Sequence, residues 1–300
     1  MRNSRKNILL LSAFIIAVSS VKSQNLLDKL DKEFTNKPTN VIATFKTTRI
    51  ALGHSVETRK KGALQLSLYN RYWDKPNTQS QTFLADDVTT RYGLDYAVTD
   101  HFTFGAGYSN FDKIYDGYLK YRLLYQQTNN KKRPLSITLL QTISNKNIQN
   151  SSLYGPTTSS KSNSFTTQVL MARKMNTNLS LQIAPTFIYR GGNIISNDPK
   201  SQFAVAFSGR HKINAHTSIV SEYYYVANTI NSTTTYNAFT FGVNWEVSDL
   251  MLQFHITNAR SFAEDTFITQ TTNNFNFKDP NFHFGFNATF ILHTRKNKLK

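Results

Sequence analysis

From residue 63 to residue 292, apolar and polar side chains alternate with a period of two, in runs of about ten residues parted by polar turns. Leu64, Leu66, Leu68 and Tyr72 oppose Gln65, Ser67, Tyr69 and Arg71. Phe282, Phe284, Phe286, Ala288, Phe290 and Leu292 form the last apolar face. Period two sends successive side chains to opposite faces of an extended strand. A strand in a soluble sheet averages about 5–6 residues, whereas a tilted strand crossing a membrane needs about 9–11. The runs 63–73, 89–98, 101–111, 116–126, 135–144, 164–173, 179–189, 201–211, 217–227, 236–245, 250–259 and 281–292 therefore predict twelve membrane-crossing strands.

The connections support an antiparallel transmembrane β-barrel. Short turns at 99–100, around Asn176, at 214–216 and at 246–249 alternate with long polar stretches at 74–88, 145–163, 191–200 and 260–280. That is the rhythm of periplasmic turns and external loops. In lipid every backbone N–H and C=O must be paired within the protein, and a closed barrel has no free edge. Tyr69, Trp73, Tyr96, Tyr223 to Tyr225 and Trp245 fall near strand ends, as an interfacial aromatic girdle would. The soluble rival, a lipocalin-like barrel, has eight strands and a shorter chain.

The first 23 residues read as a secretory signal peptide: a basic start, the apolar run 8–18, then Val21-Lys22-Ser23 before Gln24. Residues 24–62 are expected to hold a short helix at 25–36, with Leu26, Leu27, Leu30 and Phe34 on one face, and then a periplasmic or plugging segment. The barrel is assigned to 63–292 and a basic tail to 293–300. The net charge is +17, but each end contributes four lysines and arginines with no acid, which leaves +9 between them. The remaining basic runs, Arg59 to Lys61 and Lys131 to Arg133, sit at ends and turns rather than in a stripe, so nucleic acid is not an expected partner. With no cysteine there is no disulfide, zinc–thiolate site or thiol nucleophile.

Particular stretches resemble an uncharacterised outer-membrane β-barrel family of Gram-negative bacteria, a domain of unknown function. They are Thr44 to Arg49, His54 to Glu57, Tyr115 to Arg122, Ala172 to Lys174, Glu222 to Tyr225, Phe267 to Thr269 and His283 to Asn287. The resemblance spans roughly residues 28–292. It implies a barrel in an outer membrane and, since the family has no assigned chemistry, no catalytic residue.

The strand phase turns Arg71, Arg91, Asp95, Asp116, Lys120, Arg122, Arg210, Glu222, His255 and His283 inward. These are the candidate functional groups, as a constriction suited to anions or as a packed network of ion pairs. Thr44, Phe45, Lys46, Thr47, Thr48 and Arg49 are a candidate plug, with a further strand as the alternative; inward Gly93, Gly105, Gly107, Ala204 and Ala206 would leave it room. No catalytic residue, metal site or cofactor is expected. His255 has the wrong phase to serve lipid hydrolysis, His211 and His216 have weak metal spacing, and Gly105 and Gly107 sit mid-strand, unlike a dinucleotide fingerprint. The expected partners are outer-membrane lipid, the barrel assembly machinery and a small solute, with any periplasmic partner unidentified. The favoured role is a passive or gated channel. A structural or partner-binding barrel is the alternative, and a barrel enzyme acting on lipid or glycan the third.

Overall fold

The computed structural model describes residues 38–73, 87–150, 158–191, 198–275 and 282–293, without the side chains of 147–150 and 158–161. The expected leader, the helix at 25–36 and all of the basic tail beyond His293 lie outside them. The chain divides into two units. In the smaller, whose described residues are 38–40 and 127–132, Asn40 bridges Gln127 and the Thr39 and Thr128 hydroxyls meet at 2.6 Å.

The larger unit is a closed barrel of twelve antiparallel strands. They are β1 (Ala63–Trp73), β2 (Asp87–Ala97), β3 (Phe102–Ser109), β4 (Ile114–Leu124), β5 (Ser136–Asn150) and β6 (Thr158–Lys174), then β7 (Leu179–Arg190), β8 (Ser201–Lys212), β9 (Thr217–Val226), β10 (Phe239–Val247), β11 (Leu250–Thr257) and β12 (His283–His293). Each strand pairs with its neighbours in sequence, and β1 closes the ring on β12, with Leu68 opposite Ala288. No edge is left for lipid to strip.

The outer face is apolar. Leu66, Leu94, Phe104, Leu119, Leu181 and Phe290 are all exposed on it, as the alternation predicts. Four expectations need correction. Tyr69 and Tyr224 point inward and are buried, so they are no part of a girdle; Tyr96, Tyr223, Tyr225 and Trp245 do point outward. The expected loop at 145–163 is largely strand, because β5 and β6 stay paired out to Asn150 opposite Thr158. Strand β10 begins at Phe239 rather than 236, leaving 227–238 as a further long connection. The stretch 260–280 is not a purely external loop: Ser261 to Thr269 are buried, and Glu264–Thr269 form a short helix, α1.

The barrel is not hollow. Residues 41–62 make no barrel strand, only the isolated Arg49–His54 bridge, and Thr44 to Val56 are buried apart from Lys46. Phe45, Ile50, Leu52 and Val56 join inward Leu140, Leu170, Ile188 and Val220, and Phe267 and Ile268 of α1, in one apolar cluster. Burying such side chains gives about 1.5–3 kcal/mol each. The chain then leaves the interior through a turn at Gly62, whose φ of 81° suits glycine, into β1.

Candidate functional site

Of the groups that sequence phase turned inward, Lys120, Arg122, Arg210 and Glu222 meet this inner segment. Its residues 48–55 form a tight hairpin: Ser55 N donates to Thr48 O at 2.9 Å and Ile50 N to Gly53 O at 2.8 Å. The hairpin tip offers three backbone N–H groups to one carboxylate. Ala51 N and Leu52 N donate to Glu222 Oε1 at 2.8 and 2.7 Å, and Gly53 N donates to Oε2 at 3.0 Å. The Tyr224 hydroxyl adds a fourth donor at 2.7 Å. Successive N–H groups in a turn make an anion cradle. A Cβ at Gly53 would overlap that hydroxyl, so the approach needs glycine.

On its other side the segment offers oxygens to cations. Lys120 Nζ donates to the carbonyls of Thr48, Ser55 and Glu57 at 2.8, 3.1 and 3.2 Å, which uses all three ammonium protons. Arg122 Nη2 donates to Val56 O at 2.5 Å and to Glu57 Oε2 at 2.8 Å. Gln182 pairs with both sides of the peptide chain, accepting from Val56 N at 2.7 Å and donating to His54 O at 2.9 Å. Gln253 Nε2 donates to Ile50 O and Asn287 Nδ2 to Ala51 O. The backbone polar groups of a segment with no sheet partner are thus met by strand side chains.

The other candidate groups divide between pairs among themselves and ties to the inner segments. Arg91 grips Asp116 through Nε at 2.9 Å and Nη2 at 2.5 Å, both groups buried. Gly93 and Gly107 leave room for that guanidinium. Asp95 accepts from Gln65 Nε2 at 2.6 Å. Arg71 donates to the carbonyls of Ala259 and Ser261 and lies over the Phe262 ring at 4.2 Å. Arg210 reaches Ser218 Oγ at 3.2 Å and Ala43 O at 3.5 Å. His255 is buried with neither ring nitrogen hydrogen-bonded among the described residues. His283 Nε2 lies 2.8 Å from Asn273 Nδ2. Lys46, at the segment's base, pairs with Glu246 at 2.7 Å.

Sequence phase missed the partners that came from loops. Arg49 Nη1 pairs with Glu264 Oε1 of α1 at 2.7 Å and so joins the two infolded segments, 215 residues apart in sequence. His54 stands edge-on to Tyr118 at 4.4 Å, its Nε2 3.4 Å from the same Glu264 oxygen. Asp265 accepts from Ser144 Oγ at 2.7 Å, and Arg190 donates to the Thr269 hydroxyl. One signal was available. The stretch assigned to an external loop carries Phe262, Phe267 and Ile268, apolar side chains that need burial. Outside the membrane span, Ser232 and the Asn231 N–H hold the exposed Asp198 carboxyl below its ordinary range and tie two long connections together; the Ser232 hydroxyl is the strongest cause. Among the described residues, no three His, Asp or Glu side chains are grouped to hold a metal ion.

A family model described as a membrane bound beta barrel domain (DUF5777) matches residues 45–292. The fold is similar to that of the NanC porin, at 9% identity, covering 77% of this chain and 100% of that one, with a TM-score of 0.46. It is similar to the KdgM porin at 7% identity, covering 77% and 99%, with a TM-score of 0.46. An outer membrane channel from Pseudomonas putida F1 is similar at 13% identity, covering 79% and 98%, with a TM-score of 0.44. No curated protein matches. These structural likenesses concern barrel architecture, and no residue role is taken from them.

Proposed function

The chain belongs to the membrane bound beta barrel domain family, and from that premise we propose that it is a gated outer-membrane channel for small, preferentially anionic solutes, with residues 41–62 as its plug. The observation that carries this reading is how the inner segment is held. Its backbone is bound by Lys120, Arg122, Glu222, Gln182, Gln253 and Asn287. Such bonds are exchangeable with water, each with a net worth of about 0.5–1.5 kcal/mol, or about 1.5–3 where a charge takes part. Withdrawal of the segment would leave the same side chains lining a wet passage whose nearest cations are Lys120, Arg122 and Arg91.

A second reading, a non-conducting structural or partner-binding barrel, is favoured by the apolar cluster that Phe45, Ile50, Leu52 and Val56 share with the strands. Apolar burial resists withdrawal more than exchangeable polar contacts do.

Planar-bilayer recording separates the two. The mature protein should be silent. Deletion of 41–56 should open an anion-preferring conductance, with a second deletion that also shortens 259–271 as the stronger form. Heat-modifiable gel mobility verifies that each variant is a folded barrel. Silence of both folded deletions would overturn the channel and leave the structural barrel. Cleavage near Ser23 and fractionation with the outer membrane are expected in cells; recovery in the soluble periplasm would sink both readings.

A further inference from the structure

The outer mouth, on the side of the long connections, holds a cavity of about 520 Å3. Its anchor is Arg260. The guanidinium lies 3.5 Å from the Trp73 ring centroid and 3.7 Å from that of Phe111, so it is clamped by two aromatic rings. Its Nε reaches Thr89 Oγ1 only at 3.4 Å, and Nη2 stands 3.8 Å from Asp87 Oδ2, beyond hydrogen-bond length. The terminal N–H groups keep their donor capacity, and the side chain is 29% exposed. A guanidinium fixed in this way loses little freedom on binding, and its planar fork matches the two oxygens of a carboxylate.

The rest of the wall is built to a consistent chemistry. Phe111 is carried on the short β3–β4 connection, where Asp112 and Lys113 hold φ of 57° and 49°, strained values for residues with a Cβ. Lys146 is paired with Asp112 at 2.5 Å, a closer ion pair than the 3.8 Å approach of Asp87 to Arg260. Much of the remaining lining is neutral and polar, including Thr233 and Thr235. The volume lies in the range of small-molecule sites, about 300–1,000 Å3.

We propose that this cavity binds a small anionic sugar, its carboxylate on Arg260 and its hydroxyls on the neutral polar wall. The site goes beyond the plug reading and is independent of it, because binding here needs no passage through the lumen.

The chain has two tryptophans, and Trp245 faces lipid, so in W245F the emission comes from Trp73 at the clamp. The folded barrel in detergent is titrated with glucuronate, glucose and acetate. Equilibrium dialysis with labelled glucuronate follows the Arg260 variants, whose emission changes for its own reasons. Glucuronate should give a saturable response, with glucose and acetate each about tenfold weaker or more, and Arg260→Gln should weaken glucuronate by about tenfold or more. Arg260→Lys should weaken it less. Absence of saturation up to roughly 10 mM, equal response to glucose or acetate, or unchanged binding in Arg260→Gln would each overturn the proposal. If Arg260→Gln loses heat-modifiable mobility, Thr233→Val with Thr235→Val replaces it. That pair should weaken glucuronate and leave acetate unchanged, and an unchanged glucuronate response would overturn the site.

Discussion

The lumen has two unlike walls. Strands β1 to β4 present Arg71, Arg91, Asp95, Asp116, Lys120 and Arg122 to the interior. Strands β5 to β9 present Leu140, Leu170, Ala184, Ile188, Ala204, Ala206 and Val220, with Glu222 the main charge that touches the hairpin. The inner segment matches both. Its carbonyls meet the cations of the first wall, and its apolar side chains join the aliphatics of the second. Directional contacts fix register and orientation, whereas apolar burial is non-directional and supplies adhesion. Directional contacts from both walls, Lys120 and Arg122 on the first and Gln182 and Glu222 on the second, determine how the segment sits, and the aliphatics of the second hold it there.

Replacing Arg91 by Gln should break this comparison hardest. It strands Asp116 in the interior and should cost about 3–5 kcal/mol in denaturant titration, with R91M/D116L recovering most of the loss. A loss smaller than that from an arginine on the lipid face would mean that the charged wall is wet. Leu94→Arg supplies that reference, at about 2–4 kcal/mol near the bilayer midplane. Glu222→Gln tests the exception on the aliphatic wall. It removes the charge that three backbone N–H groups share and should cost about 1.5–3 kcal/mol; in bilayers it should raise the frequency of opening if the hairpin gates. The smallest effect is expected from Ile188→Val, about 0.5–1.5 kcal/mol, with no change in conductance. A clear gating effect from Ile188→Val with none from Glu222→Gln would reverse the roles assigned to apolar and directional contacts.

Much of this barrel was legible because alternation is a local property of the backbone. The twelve strands, their facing and all ten inward candidate groups follow from phase alone. What alternation cannot give is the content of the space that the inward face encloses. The hydroxyl of inward Thr138 donates to Val56 O at 2.7 Å, a partner that strand phase does not name. Arg49 carried no sign of Glu264, because a pair 215 residues apart is set by tertiary closure. Tyr69 and Tyr224 were legible as aromatics near strand ends, but a packed lumen can bury a ring as well as a membrane interface can. Residues 259–271 were polar enough to pass for a loop, with Phe262, Phe267 and Ile268 as the large apolar side chains the stretch had to bury.

The position of the seam has a kinetic consequence. Strands β1 and β12 are the most distant in sequence of all paired strands, so their contact carries the largest loop-closure entropy and is expected to form last. Each is preceded in sequence by an infolded segment, residues 44–56 before β1 and 261–271 before β12. The contents therefore enter beside the two edges that close over them. Until the last ladder zips, the sheet is an open cup that can be loaded from its side; afterwards the same groups can be reached only along the barrel axis. A variant such as Gly53→Ala, which obstructs seating, should thus show itself as slow ring closure during assembly more than as a weakened finished barrel.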